Sequence, residues 1–221
     1  MSLIIRDILI WAVPVLLAIT VHEAAHGYVA RYFGDPTAER AGRISLDPFR
    51  HIDPVGTVIV PLCIFALSSG FFFGVYDPNK AWTFGWAKPV PVDFRRLRNP
   101  KANMLWVAAA GPFANLVMAV IWAMIFGLIA GKPPKFFASM AAAGIYINGV
   151  LLFLNLLPVP PLDGGRIAVS LLPDRLAWKY ARLEPFGFPI LVILMASGKL
   201  GDILGPLLNG FLSGLMALFG R

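Results

Sequence analysis

The sequence predicts an all-α polytopic membrane protein. It should hold about five spanning helices, one re-entrant or interfacial segment and a short extended, β-like loop. Three observations lead there. Of the 221 residues, 58% are hydrophobic and only 14% charged, a balance that suits lipid better than water. Six segments lack Lys, Arg, Asp and Glu over useful lengths: 8–21, 54–76, 102–131, 136–162, 185–198 and 203–220. The loops between them are too short for an appended soluble domain. One membrane-embedded domain, 1–221, is therefore expected, with a core at 1–167 and C-terminal helices at 185–220.

Each element has its own reason. Ile8 to Val21 is apolar, and the helix can run on to about Phe33. The 54–76 segment carries Pro54, Gly56, Pro61, Ser68, Ser69 and Gly70, which suits a re-entrant or interfacial element. In "FGWAKPVPVDF", residues 84–94, Pro89 and Pro91 cannot join a helix interior. This stretch reads as an extended edge able to take an added peptide strand, or as an interfacial loop anchored by Trp82 and Trp86. Segments 102–131 and 136–162 exceed the roughly 20 apolar residues a crossing needs. Segment 185–198 is short and would have to tilt or extend, and 203–220 closes the chain.

The net charge is +7, but no basic run is long enough for nucleic-acid binding. The excess fits basic loops on one side of a bilayer. The expected partner is lipid, and the expected location is the cell membrane, as a multi-pass protein. The single Cys63 excludes an internal disulfide and a cysteine-based zinc finger.

Chemistry enters at "VHEAAHGYV". His22, Glu23 and His26 form HExxH, and helical spacing sets the two histidines one turn apart on one face. Two imidazoles so placed can hold one Zn²⁺, with Glu23 acting on a water at the metal. The plain alternative is two packed histidines beside a glutamate. Lipid weighs against it, because a charged group near the membrane centre costs about 3 kcal/mol on insertion scales. A catalytic zinc takes three protein ligands and keeps one position open. His51, in "FRHIDP", lies in a charged loop. Asp163, in "NLLPVPPLDGGR", follows an apolar segment that Pro158, Pro160 and Pro161 interrupt. Irregular backbone at membrane depth is tolerated only where it lines protein or water. Gly164 and Gly165 allow close approach. Alone, the stretch is an ordinary turn; beside an under-ligated HExxH, Asp163 is the favoured third ligand.

Four stretches together resemble the site-2 protease family of intramembrane zinc metalloproteases. They are "VHEAAHGYVARYFGDPTAERAGRISLDPFRHIDPVGT", "GWAKPVPVD", "AAAGPFANLVMA" and "NLLPVPPLDGGRI", spanning 21–167. The likeness is to the compact bacterial-type branch without a PDZ domain. It implies one Zn²⁺ on His22, His26 and Asp163, with Glu23 as general base. It also implies catalytic roles for Asn155 and Asn115, as donors to a substrate carbonyl or an oxyanion. An interhelical hydrogen bond is the other reading of each. Asn148 has no motif support and is assigned to packing. The implied activity is hydrolysis of peptide bonds in or near transmembrane segments of membrane-protein substrates. A non-catalytic zinc protein, a transporter or scaffold, is the competing class. Glu23 separates them, since transport needs ligands but no base between the histidines.

The ligand set also constrains topology. HExxH lies near the end of the first helix, and Asp163 follows the end of the 136–157 helix. Those ends must share one side of the bilayer. If 54–76 and 102–131 both spanned, they would not, so a re-entrant 54–76 is expected. Fifteen basic residues then lie on one side and four on the other, which places the site's opening toward the cytoplasm.

Overall fold

A computed structural model describes residues 3–60, 62–64, 85–129 and 134–220. Among these residues all regular structure is helical. In chain order the longer helices are α1 (Leu3–Tyr32), α2 (Pro100–Ile129), α3 (Lys135–Leu156), α4 (Asp163–Leu171), α5 (Asp174–Ala181), α6 (Glu184–Ala196) and α7 (Lys199–Phe219). Four of them, α1, α2, α3 and α7, are long and apolar enough to cross a membrane.

The core is α1, α2 and α3. Their shared interior is built from small residues: Ala18, Ala24 and Ala30 on α1, Ala108, Gly111, Ala119 and Ala123 on α2, and Ala141, Gly144 and Gly149 on α3, all buried. Small side chains let helix backbones approach closely in a membrane, where packing rather than water exclusion drives association. Pro14 and Pro112 sit inside spanning helices, where neighbouring helices make the lost hydrogen bond tolerable. α1 and α2 run antiparallel: Ala18 meets Asn115, His26 meets Val107, and Phe33 meets Arg98.

The expected fifth crossing is not a long helix. The 185–198 segment forms α6, whose 13 residues span about 20 Å against a hydrocarbon core of about 30 Å. It ends at Gly198, which takes the left-handed conformation at φ 75°. α7 then packs Leu208 on Gly149, Leu215 on Ile145, and Phe219 on Gly127. It therefore runs parallel to α2 and antiparallel to α3, and it starts on the side where α3 ends.

Of the anticipated re-entrant segment, residues 54–59 form a π-helix capped by Asp53, whose Oδ1 accepts from the N–H of Val55 and Gly56. Residues 65–84, with Trp82, lie outside the described residues. Residues 85–93 form no regular strand. Their N–H donors nevertheless alternate: Trp86 donates to Gly56 O, Lys88 to His51 O, and Val90 to Glu23 Oε2. Donors at every second residue are the pattern of an extended chain with one edge occupied. The segment is moored further on, where buried Asp35 accepts from the N–H of Thr37 and of Asp93.

Candidate metal centre

The site grows from two i, i+4 rows that face each other. On α1 the row is His22 and His26. On α2 it is Val107, Gly111 and Asn115. Gly111 is the contact point: a Cβ there would lie 2.5 Å from Cε1 and Nε2 of His22 and from Nε2 of His26. Only a bare backbone lets α2 come this close to the imidazoles. The sequence reading passes over Gly111. Its one signal is spacing, one turn before Asn115 in "AGPFAN".

Each histidine is fixed from behind. The Nδ1 of His26 lies 2.7 Å from Val107 O, and that of His22 lies 2.6 Å from Asn115 Oδ1. Both partners are acceptors, so both Nδ1 atoms carry the proton and both Nε2 atoms present a lone pair.

The third group arrives from the other end of the chain. α3 stops at Leu156, and short turns carry the backbone through Pro158–Pro161, with a cis peptide between Pro160 and Pro161. Asp163 then opens α4, in the first turn where the helix dipole favours a carboxylate. Gly164 packs on the carbonyls of Leu156 and Leu157, and Gly165 on the backbone at Pro160. This tight fold-back sets Asp163 Oδ2 at 3.2 Å from His22 Nε2 and 3.4 Å from His26 Nε2. The two Nε2 atoms are 3.1 Å apart.

Three lone pairs thus converge in a buried space. Asp163 Oδ2 is buried without a hydrogen-bond partner, which is costly unless a cation is meant to sit there. Two imidazoles and a carboxylate suit Zn²⁺. His22, His26 and Asp163 are the one group of metal-ligating side chains that converges in this way among the described residues. His51 is not part of it. Its ring is buried elsewhere, with Nε2 against Ser45 O.

A cavity of ≈ 130 Å³ adjoins the cluster. It is lined by Glu23, Pro89, Val90, Asn155 and Arg166 as well as His22, His26 and Asp163. Glu23 and Asn155 therefore share a space with the His22, His26 and Asp163 cluster. Asn115 does not line it. Its Oδ1 faces His22, and its Nδ2 donates to Asn148 Oδ1 at 3.0 Å and Ala18 O at 3.3 Å. Asn115 thus faces His22 rather than the cavity.

Comparison with known proteins points to zinc metalloproteases. Residues 132–196 match Peptidase family M50. YwhC of Bacillus subtilis (strain 168), named "Putative zinc metalloprotease YwhC", is 33% identical over 214 residues, 94% of this chain and 89% of the relative. "Putative zinc metalloprotease Rip2" of Mycolicibacterium smegmatis is 30% identical over 191 residues, 84% of this chain and 66% of the relative. Rip2 of Mycobacterium tuberculosis (strain H37Rv) is 26% identical over 205 residues, 91% of this chain and 69% of the relative. No solved structure matches the chain.

Proposed function

Because the chain belongs to Peptidase family M50, the site-2 protease family, we propose that it is a zinc endopeptidase that cuts within or beside transmembrane segments of other membrane proteins. One observation carries the reading. The lone pairs of His22, His26 and Asp163 meet within 3.4 Å of one another, in a cavity that also holds Glu23. The protein is a membrane zinc metalloprotease, and the residue roles below are our assignment.

His22, His26 and Asp163 would hold the metal. When bound, Zn²⁺ supplies Lewis acidity, which polarises a scissile carbonyl and makes water acidic near neutral pH. Glu23 takes the proton from the attacking water and returns it to the leaving amine. Its Oε2 accepts from Val90 N–H at 2.8 Å, which aims the carboxylate into the cavity while leaving Oε1 for water. Asn155, on the last turn of α3, orients the substrate carbonyl from the opposite wall. Pro89, Val90 and Val92 contribute apolar side chains to the cavity wall. A carrier would need the ligands but not a carboxylate base in the same cavity, so transport is the weaker reading.

We read the cavity as opening toward the cytoplasm of the cell membrane. The described residues from Arg31 through Lys101 carry nine basic side chains on the site's side, and the direction of α7 adds Lys199 to that side. Cysteines introduced at 87 or 98 should react with reagents applied from the cytoplasm. Reaction from the outside alone would overturn this orientation.

The decisive test is Glu23→Gln. The variant should retain zinc at wild-type stoichiometry yet lose cleavage of a transmembrane reporter by at least about a hundredfold, as expected when a general base is removed. Full turnover by Glu23→Gln would end the protease reading.

A further inference from the structure

Asn148 looks like a packing residue, but its bonds lead to the metal cluster. It is fully buried on α3, and Asn115 is fully buried on α2. Asn148 Nδ2 donates to Gly144 O at 2.8 Å. That backbone carbonyl can only accept, so it fixes which end of the Asn148 amide is nitrogen. Asn148 Oδ1 is then turned toward α2, where it accepts from Asn115 Nδ2 at 3.0 Å. Ala18 O accepts from the same nitrogen at 3.3 Å. Both contacts force Asn115 Oδ1 toward His22, 2.6 Å from Nδ1. An oxygen there demands a proton on Nδ1 and leaves Nε2 bare.

We propose that Asn148 is a positioning residue for the metal centre, acting through Asn115 to hold His22 in the tautomer that can ligate. The proposal rests on the zinc assignment for its purpose but not for its geometry. The relay crosses all three core helices, from α3 through α2 to α1. Without the acceptor at 148, the Asn115 amide keeps only the longer bond to Ala18 O. It can then turn over, present N–H to Nδ1 and push the proton to Nε2. His26 has no such dependence, because its Nδ1 partner is backbone.

The test uses the full chain in detergent micelles, uniformly labelled with ¹⁵N-histidine. With three histidines in the sequence, the spectra are assignable. Wild-type His22 should be protonated at Nδ1 in the protein stripped of metal. Asn148→Leu should shift His22 toward the Nε2–H tautomer while His26 stays unchanged. Competition titration should show zinc affinity falling at least about tenfold, the usual cost of a lost outer support. Asn148→Asp, which as a neutral acid can donate to Gly144 and accept from Asn115, should recover most of that affinity. Wild-type His22 protonated at Nε2 would overturn the proposal even if every variant failed to fold. So would Asn148→Leu with wild-type zinc affinity and an unmoved His22 spectrum. A failure of the zinc reading looks different: the wild-type chain binds no zinc while its His22 tautomer stays as stated.

Discussion

His22 and His26 sit one turn apart on the same helix face and point their Nε2 atoms at the same carboxylate oxygen. Their supports differ in kind. His26 leans on the backbone carbonyl of Val107, and His22 leans on the side chain of Asn115. A carbonyl has two lone pairs, so Val107 can serve both its own helix and the imidazole. No substitution at 107 removes that oxygen. The oxygen at 115 disappears with the side chain, and its aim depends on Ala18 and Asn148. The lesson is that one histidine is secured by the path of a helix and the other by a chain of amides. The first responds to changes that move α2, and the second to changes of side chain.

Moving α2 gives the largest expected effect, because it strikes both histidines at once. A methyl group at Gly111 would lie 2.5 Å from both Nε2 atoms. The rings cannot retreat without breaking their Nδ1 bonds, so α2 must shift or the ligands must part. Gly111→Ala should reduce zinc affinity by about a hundredfold or more, at or beyond the upper end for losing one outer support. Metal titration of the purified variant measures this, with circular dichroism confirming that the helices remain. Wild-type affinity would mean the two rows do not meet as closely as described.

Next comes the support that is only a side chain. Asn115→Leu removes the acceptor behind His22 and leaves Asn148 without its donor. Zinc affinity should fall about 10- to 100-fold. The loss should follow the His22 tautomer, with His26 unaffected in ¹⁵N-histidine spectra. Equal disturbance of both histidines would show that the two supports are not separable.

How far the sequence carried the site follows from the same contrast. HExxH is a local pattern, and helical spacing alone sets its histidines on one face. Asp163 was legible because three prolines and two glycines break an apolar run that otherwise has no reason to stop. The all-helical fold and three of the core crossings followed from uncharged length. The sequence was silent on Gly111 and on the bond between Asn148 and Asn115. A glycine under two imidazoles and a glycine that merely packs look alike in one chain. An amide's partner is set by helix rotation, which hydrophobicity does not encode when the helices are apolar all round. The fifth crossing is not confirmed among the described residues, for a simpler reason. Segment 185–198 lacks charge, but α6 stops at the Gly198 turn after too few residues to span. For Asn115 the sequence shows a polar amide without showing which way it faces, and in the structure its Oδ1 faces His22.

The smallest expected effect is the one that separates the two supports most cleanly. Val107 is buried, packed with Ala30 and Leu97 and with partly buried Met104. Val107→Ala removes two methyl groups and leaves the carbonyl behind His26 in place. Stability should drop by about 1–2 kcal/mol, the scale for small truncations in a packed interior, and a lower thermal midpoint in detergent would report it. Zinc affinity should stay within about twofold of wild type, since sites that share no altered bond are nearly independent. Truncation at 115 and truncation at 107 each remove side-chain atoms from the partner of one histidine. If both cost zinc affinity alike, the support of His26 resides in the Val107 side chain and the distinction between backbone and side-chain support fails. If only the change at 115 does, the carbonyl of 107 is what holds His26.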